Sequence, residues 1–360
     1  MQKTEKRKNG SEYISGLIDR AVKDGRREAI VTGNWEIATA VRIPSDFTLY
    51  LEDCHLVMAD GVYSNMFINE HHDTDLGRTL EGTDRNISII GKGNAILDGG
   101  NYNGLSESTA SKNGLPPIWK NNLILFTNVN GFKITGLFCK NQRWWALNFL
   151  YCCNGYIGKM CFNSSNVGID ENGNEYHGLI RKKALEVYIK NSDGIDLRAG
   201  CHDILIEDIS GFTEDDTVAL TGLDGRMEKY FAVEGASTDM YNLTVRRVYS
   251  ESFCSIVRLL NQGGIKQHDV TVEEIVNTWH NTDNMDTPGG CVRIGDNHLY
   301  GSSQTTEELT YNVTVRNIYG RGKSALCLAC DIGNLSYDNI CAHSDTIPIL
   351  DEQKDSKRKL

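Results

Sequence analysis

Two short runs of this chain gather acidic side chains. "NSDGIDL" (191–197) carries Asp193 and Asp196 behind Asn191, and "TEDDTVAL" (213–220) carries Glu214, Asp215 and Asp216. Carboxyl groups held close together suit acid–base chemistry. Like charges repel, so one member keeps its proton near neutral pH while a neighbour stays ionised and accepts one. Aspartate also fills ordinary turns between strands, which accounts for any one of these residues. It accounts less well for an adjacent pair with a third member at a fixed distance along the chain. Asp193 precedes Asp215 by 22 residues and Asp216 by 23.

That separation brings the two runs together only if the chain repeats with the same period. A unit of Asn or Asp followed by alternating apolar residues recurs at Asn86, Asn130, Asn154, Asp203, Asn242, Asp269, Asn312 and Asn334. Anchors lie 22 to 27 residues apart, or 39 to 49 where a turn is doubled or carries a loop. Short alternating strands at such a period form a coil in which each strand pairs with its copy one turn later. The expectation is an all-β fold, a single-stranded right-handed parallel β-helix. Propeller blades need longer repeats with hairpins inside them, and leucine-rich repeats need a leucine template that is absent.

Adjacent turns of such a coil lie about 4.8 Å apart, so the two acidic runs become neighbours on one face. Alternation in "GIDL" (194–197), "VAL" (218–220), "VRL" (257–259) and "VRI" (292–294) turns Ile195, Leu197, Val218 and Leu220 inward. It turns Asp196, Ala219, Arg258 and Arg293 outward as one column. Asp193 and Asp216 fall three residues before that column, where the strands begin. Asn148 aligns with it two turns before Asp196. Acids beside two arginines on an outer face suit a saccharide site. Trp144 and Trp145 offer rings that stack on a sugar, with at least one of the two in the core. Asp296 and His298 follow Arg293 and line a wall.

The remaining elements frame the coil. Ile14, Leu17, Ile18, Ala21 and Val22 keep helical spacing, which predicts a capping helix over about 11–25, started by Ser11 and stopped by Gly25. Such a helix covers the first strand's open edge. Residues 1–350 read as one domain and 351–360 as a loose charged tail. The segments 168–186, 222–239 and 280–290 read as loops that shape a cleft. A net charge of −11 argues against nucleic acid and anionic membrane as partners. No apolar run approaches the roughly 18 residues of a membrane span. The basic start "MQKTEKRKNGSEY" has no apolar run behind it, and the 11 cysteines are irregularly spaced. Both point to reduced thiols in a cytoplasm. "CLAC" at Cys327 and Cys330 has no second pair to complete a zinc site. The long flat faces of a coil leave room for a homo-oligomer.

"NSDGIDL" and "TEDDTVAL" resemble two motifs of the family 28 glycoside hydrolases, the polygalacturonase group. These are an Asn-Thr-Asp motif and, one coil later, an Asp-Asp pair. "NVNGFKITGLFCKNQRWWALNFLYCCN", "GNAILDGGNYNG" and "IPSDFTLYLED" are similar to other segments of that family, and the resemblance spans about residues 10–300. It implies a pectin-lyase-like coil that hydrolyses a plant-type or pectin-derived oligosaccharide with inversion and without cofactor or metal. Asp215 would protonate the leaving oxygen, and Asp193 and Asp216 would hold and deprotonate water, the arrangement an inverting enzyme requires. Arg258 matches the family's arginine. Leu260 stands where its lysine would be, and no histidine follows the Asp pair in "TGLDGRMEKYFAVEGASTDMY". A neutral sugar therefore suits the site as well as galacturonate. Two alternatives share the fold: a lyase or epimerase with Ca²⁺ held by aspartates and Arg258 as base, and a glycan-binding coil without catalysis.

Overall fold

The computed structural model describes residues 8–100, 117, 119–142, 144–164, 168–169, 175–176, 193–262, 264–278, 290–296 and 304–353. Strands alternate along the chain between two parallel sheets. Among the described residues one sheet has 12 strands and the other 10, and their strands follow sequence order. The fold is the expected right-handed parallel β-helix. The inward positions of the shorter sheet are sealed: Ile195, Leu197, Val218, Leu220, Val257, Val292 and Ile294 have no exposed surface. Each such side chain contributes about 1.5–3 kcal/mol by leaving water.

The repeat anchors read from sequence sit at the corner of the coil where the backbone turns left-handed. Asn86, Asn154, Asp203, Asn242, Asp269, Asn312 and Asn334 all have φ between 50° and 55°. Asn and Asp are the side-chain-bearing residues that tolerate this region best. Their side chains also bond up the stack, as Asn154 Nδ2 does to Asn130 Oδ1 at 2.8 Å and Asn334 Nδ2 to Asn312 Oδ1 at 2.7 Å. A second left-handed corner at Asp208, Arg247, Glu274, Asn317 and Asn339 bends the long strands of the 12-stranded sheet.

The N-terminal helix runs Gly10–Lys23 and packs Ile14, Ile18 and Ala21 onto the first turn. Its cap is Asn9, whose side chain accepts from the Glu12 amide at 3.3 Å, and not Ser11. Ser11 is buried and clasps the chain at Ala38 and Thr39 instead. Gly25 follows the helix with φ 73°, as a stop should. At the other end Ile347–Asp351 is still a strand, and Glu352 is tied to Arg293, so the coil continues to the start of the expected tail. Cys327 and Cys330 are buried, and burial pushes their thiols up to about 11 and about 12, the behaviour of core cysteines. Among the described residues no helix is long and apolar enough to cross a membrane.

Candidate active site

The outward column of the ten-stranded sheet has the register read from sequence. Asp196 pairs with Ala219, Ala219 with Arg258, and Arg258 with Arg293. Asn148 pairs directly with Asp196, one turn away rather than two, although the two are far apart in sequence. The ladder continues into the corner where the acids sit. The Gly194 amide donates to the Asp216 carbonyl and the Thr217 amide to that of Ser255, both at 3.0 Å. Asp193 and Asp216 therefore stand level on adjacent turns. The Asp215 peptide is fixed from both sides, its carbonyl accepting from Thr213 Oγ1 and Ser252 Oγ, each at 2.7 Å.

Burial divides these acids. Asp193, Asp196, Glu214 and Asp216 are buried, while Asp215 keeps partial exposure. Asp216 has donors of its own: the Ser255 amide lies 2.9 Å from Oδ1, and Arg258 Nη1 3.6 Å from Oδ2. Asp193 Oδ1 and Asp196 Oδ2 have no hydrogen-bond partner among the described residues. Burial drives the Asp193 carboxyl well above its ordinary range, and Asp215, Asp196 and Asp216 push it further. Burial raises Asp196 to about 8 against the pull of Arg198, and raises Asp216 to about 6 against the pull of Arg258. Such a crowd retains protons near neutral pH and shares them among its members.

Two residues of the site were not singled out in the sequence. Arg198 is buried, with Nη2 3.3 Å from Asp196 Oδ1 and Nη1 3.0 Å from Glu228 Oε1. Glu228 belongs to a five-residue helix, Arg226–Tyr230, inside the loop that follows Val218–Gly222. Arg198 lies two residues after Asp196, so alternation alone turns it to the same face. It also shares a column with Thr221 and Leu260, two turns before the latter. Its guanidinium is engaged with two carboxylates.

Other expected residues occupy different settings. Arg198 covers the Trp145 ring at 4.3 Å, and both Trp144 and Trp145 are buried, so neither presents a free face to a sugar. Asn148 has no exposed surface and lies under the short helix, its Nδ2 3.8 Å from Met227 Sδ and 3.4 Å from Asn122 Oδ1. Arg293 is level with Arg258, but Glu352 takes its guanidinium with two bonds of 3.0 and 3.1 Å. Asp296 is buried and accepts from Gln262 Nε2 at 3.0 Å. Asn191 and His298 lie outside the described residues.

A separate group, Glu70, His71 and Asp84, brings its ligand atoms within 4.8 Å of one another, as a metal site would. The Asp84 carboxylate is already met by Asn69 Nδ2 at 2.7 Å, the His71 amide at 2.9 Å, His71 Nδ1 at 2.8 Å and Ser45 Oγ at 3.0 Å. Those partners make it a clasp between turns.

No protein-family description matches the sequence, and no curated protein matches it. Solved structures do. An exopolygalacturonase from Thermotoga maritima is 13% identical with a TM-score of 0.54, covering 94% of this chain and 88% of its own. A 1,3-α-1,4-β-D-galactose-4-sulfate-3,6-anhydro-D-galactose-2-sulfate 4-galactohydrolase is 11% identical with a TM-score of 0.62, covering 96% of this chain and 86% of its own. The tailspike protein of Escherichia coli bacteriophage HK620, solved with a pentasaccharide, is 15% identical with a TM-score of 0.62, and this chain spans 57% of its length. At such identities the likeness is one of fold, and the coil is shared across nearly the whole of this chain.

Proposed function

We propose that this protein is a glycoside hydrolase that cleaves an oligosaccharide by carboxylate acid–base catalysis. The observation that carries the reading is the stacked group of Asp193, Asp196, Asp215 and Asp216. Within it, burial and neighbouring carboxylates raise Asp193, Asp196 and Asp216, so these three share protons into the neutral range. Asp215 is the partly exposed member, with its peptide fixed by Thr213 and Ser252, so a glycosidic oxygen reaches it from solvent. Its role is to protonate that oxygen as the bond breaks. Asp193 and Asp216 stand behind it on adjacent turns, and their role is to hold a water and take its proton. The water then attacks the opposite side of the ring and inverts the anomeric carbon. The similar structures include hydrolases of galacturonan-type and sulfated galactan-type polymers, which supports a glycan as substrate. Plant-type and pectin-derived oligosaccharides are the first to try.

A calcium-dependent lyase would need ionised carboxylates turned to a metal. Here Arg198 and Arg258 already face Asp196, Glu228 and Asp216, which favours hydrolysis. The test is reducing-end release from a panel of neutral, uronate and sulfated oligosaccharides. One substrate should be turned over without production of an unsaturated, ultraviolet-absorbing end. Asp215→Asn should lower that rate about 10²–10⁴-fold, the usual worth of a positioned acid. Activity unchanged in Asp215→Asn, or no substrate across the panel, would sink the reading.

A further inference from the structure

The loop after Val218–Gly222 crosses the face that carries the acids. Of residues 223–230 only Met227 and Glu228 are buried. Met227 Sδ lies 3.8 Å from Asn148 Nδ2, and Glu228 Oε1 accepts from Arg198 Nη1 at 3.0 Å. These two side chains seat the short helix Arg226–Tyr230 on the sheet. Arg226 and Tyr230 add contacts to Trp119 and Arg78, at 5.5 and 4.6 Å, from exposed positions. The chain is fixed before and after the helix. The Gln262 amide donates to the Gly222 carbonyl at 3.1 Å, and the Glu234 amide to that of Arg78 at 2.8 Å. Phe231 is buried against His72, with 4.8 Å between ring centres. A segment pinned at both ends, with few buried contacts between them, opens at a lower cost than the coil unfolds.

What lies beneath the helix is polar. Asn148, Asp196 and Arg198 are buried, and Asn148 Oδ1, Asp196 Oδ2 and Arg198 Nε have no hydrogen-bond partner among the described residues. A permanent cover over such atoms carries the full cost of their lost hydration. A cover that lifts lets a polar ligand meet them. The ion pair resists lifting only weakly, because burying the two charges costs solvation comparable with their attraction. Arg198 also keeps Asp196 when Glu228 leaves. Asp193 and Asp196 lie on one strand, about 10 Å apart at 3.3 Å per residue. The covered groups are therefore within a short chain's reach of the acids.

We propose that the Arg226–Tyr230 helix is a lid, latched by Glu228 on Arg198, that lifts to admit substrate to Asn148, Asp196 and Arg198. The lifting stands on the loop's own contacts; its use in catalysis rests on the hydrolase reading. The test is alkylation by iodoacetamide of the thiol introduced by Met227→Cys, followed peptide by peptide by mass spectrometry. Cys152 and Cys291 are sealed in the core and report global unfolding. The introduced thiol should react at least about 10²-fold faster than either. Glu228→Gln keeps an oxygen for the Gly225 amide and removes the latch charge. Added to Met227→Cys, it should speed the reaction about tenfold more and leave Cys152 and Cys291 as they were. Amide exchange at Lys229 and Phe231, which bond to the Gly225 and Met227 carbonyls, repeats the comparison with Met227 in place. It serves if the cysteine variant misfolds, and Glu228→Gln should speed it without speeding exchange in Val218–Gly222. On an oligosaccharide that the wild-type protein cleaves, Glu228→Gln should lower KM about tenfold, because more of the protein is open to bind. A brace that only held Arg198 in place would raise KM when lost. An introduced thiol no faster than Cys152, rates that rise together across the coil, or a raised KM overturns the proposal. Fast, latch-dependent labelling of a protein that cleaves no oligosaccharide overturns only the hydrolase reading.

Discussion

The outer face of the 12-stranded sheet and the outer face of the 10-stranded sheet stack carboxylates at the same period, with opposite results. On the first, Asp203, Glu207 and Asp269 each have donors of their own. Asp203 is held below the usual carboxylate range by Asn242 and then His202, and Asp269 by His268 and then Asn312. Glu207 feels burial, but Arg246, Arg247 and Tyr156 outweigh it and keep it low. Rings continue the pattern, with His202, Tyr241, His268 and Tyr311 stacked at 4.6, 5.4 and 4.7 Å. On the second face, Asp193, Asp196, Asp215, Asp216 and Glu228 meet two guanidinium groups, Arg198 and Arg258. Stacking like residues is harmless where donors keep pace with acceptors. A group with raised, shared protons arises where loops bury the stack and donors fall short.

The sharpest way to break this comparison is to neutralise one acid on each face. Asp193→Asn should lower turnover about 10²–10⁴-fold, because it removes an ionisable group from the pair proposed to hold the water. Asp203→Asn should leave turnover within about twofold, since its carboxylate only braces the corner of the coil. Initial rates on one cleaved oligosaccharide decide it. Comparable losses from both would mean that the two faces do not differ in function.

Removing one cation from each face comes next. Arg198→Ala strands Asp196 and Glu228 in a buried setting and uncovers Trp145, so it should cost about 3–5 kcal/mol. Arg247 serves Asp208 and Glu207 on a wetter surface, and Arg247→Ala should cost about 0–1 kcal/mol. Urea midpoints for the two variants measure the gap. Equal costs would show that burial of the acidic group is shallower than its geometry indicates.

How much of this was legible in the sequence follows from what fixes each part. The column Asp196–Ala219–Arg258–Arg293 was readable because period and alternation are local and rigid. Arg198 obeyed the same rule and needed only one more step along the strand. Asn148 was placed a turn too far because an inserted segment and an extra coil lengthen the chain alike. Glu228 and Met227 sit on a loop whose path no periodicity dictates, so neither the brace on Arg198 nor the cover over Asn148 was visible. Glu352 reaches Arg293 across two turns, a contact set by how the coil ends. Trp145 turned from sugar platform to core because Arg198 lies over it, and side-chain order on a crowded face depends on partners from other turns.

Titration should separate the faces by sign. Unfolded aspartate titrates near 3.9, whereas Asp216 is raised to about 6 and Asp196 to about 8. Between roughly pH 4 and pH 8 the folded state therefore binds more protons, and this group's contribution to stability falls as pH rises. The depressed acids of the other face act in reverse, and their contribution is lost as pH falls through their lowered values. Asp196→Asn should flatten the decline of Tm between pH 6 and 8, a change of a few degrees, and should leave the acid limb as it is. An unchanged slope in Asp196→Asn would mean that Asp196 stays ionised beside Arg198.

The smallest expected effect tests the well-partnered face alone. Asn312 has φ 52°, donates to Asp269 Oδ1 at 3.0 Å and accepts from Asn334 at 2.7 Å. Asn312→Ala keeps the left-handed corner but forces a Cβ-bearing residue without a polar tip into it, and should cost about 1–2 kcal/mol. Asn312→Gly loses the same two exposed bonds without the backbone penalty, and should cost less than about 1 kcal/mol. Urea midpoints separate the two. Equal losses would mean that the side-chain ladder, and not the turn conformation, is what asparagine supplies at each corner of the coil. The donors that keep this face inert would then also be what holds its turns in register.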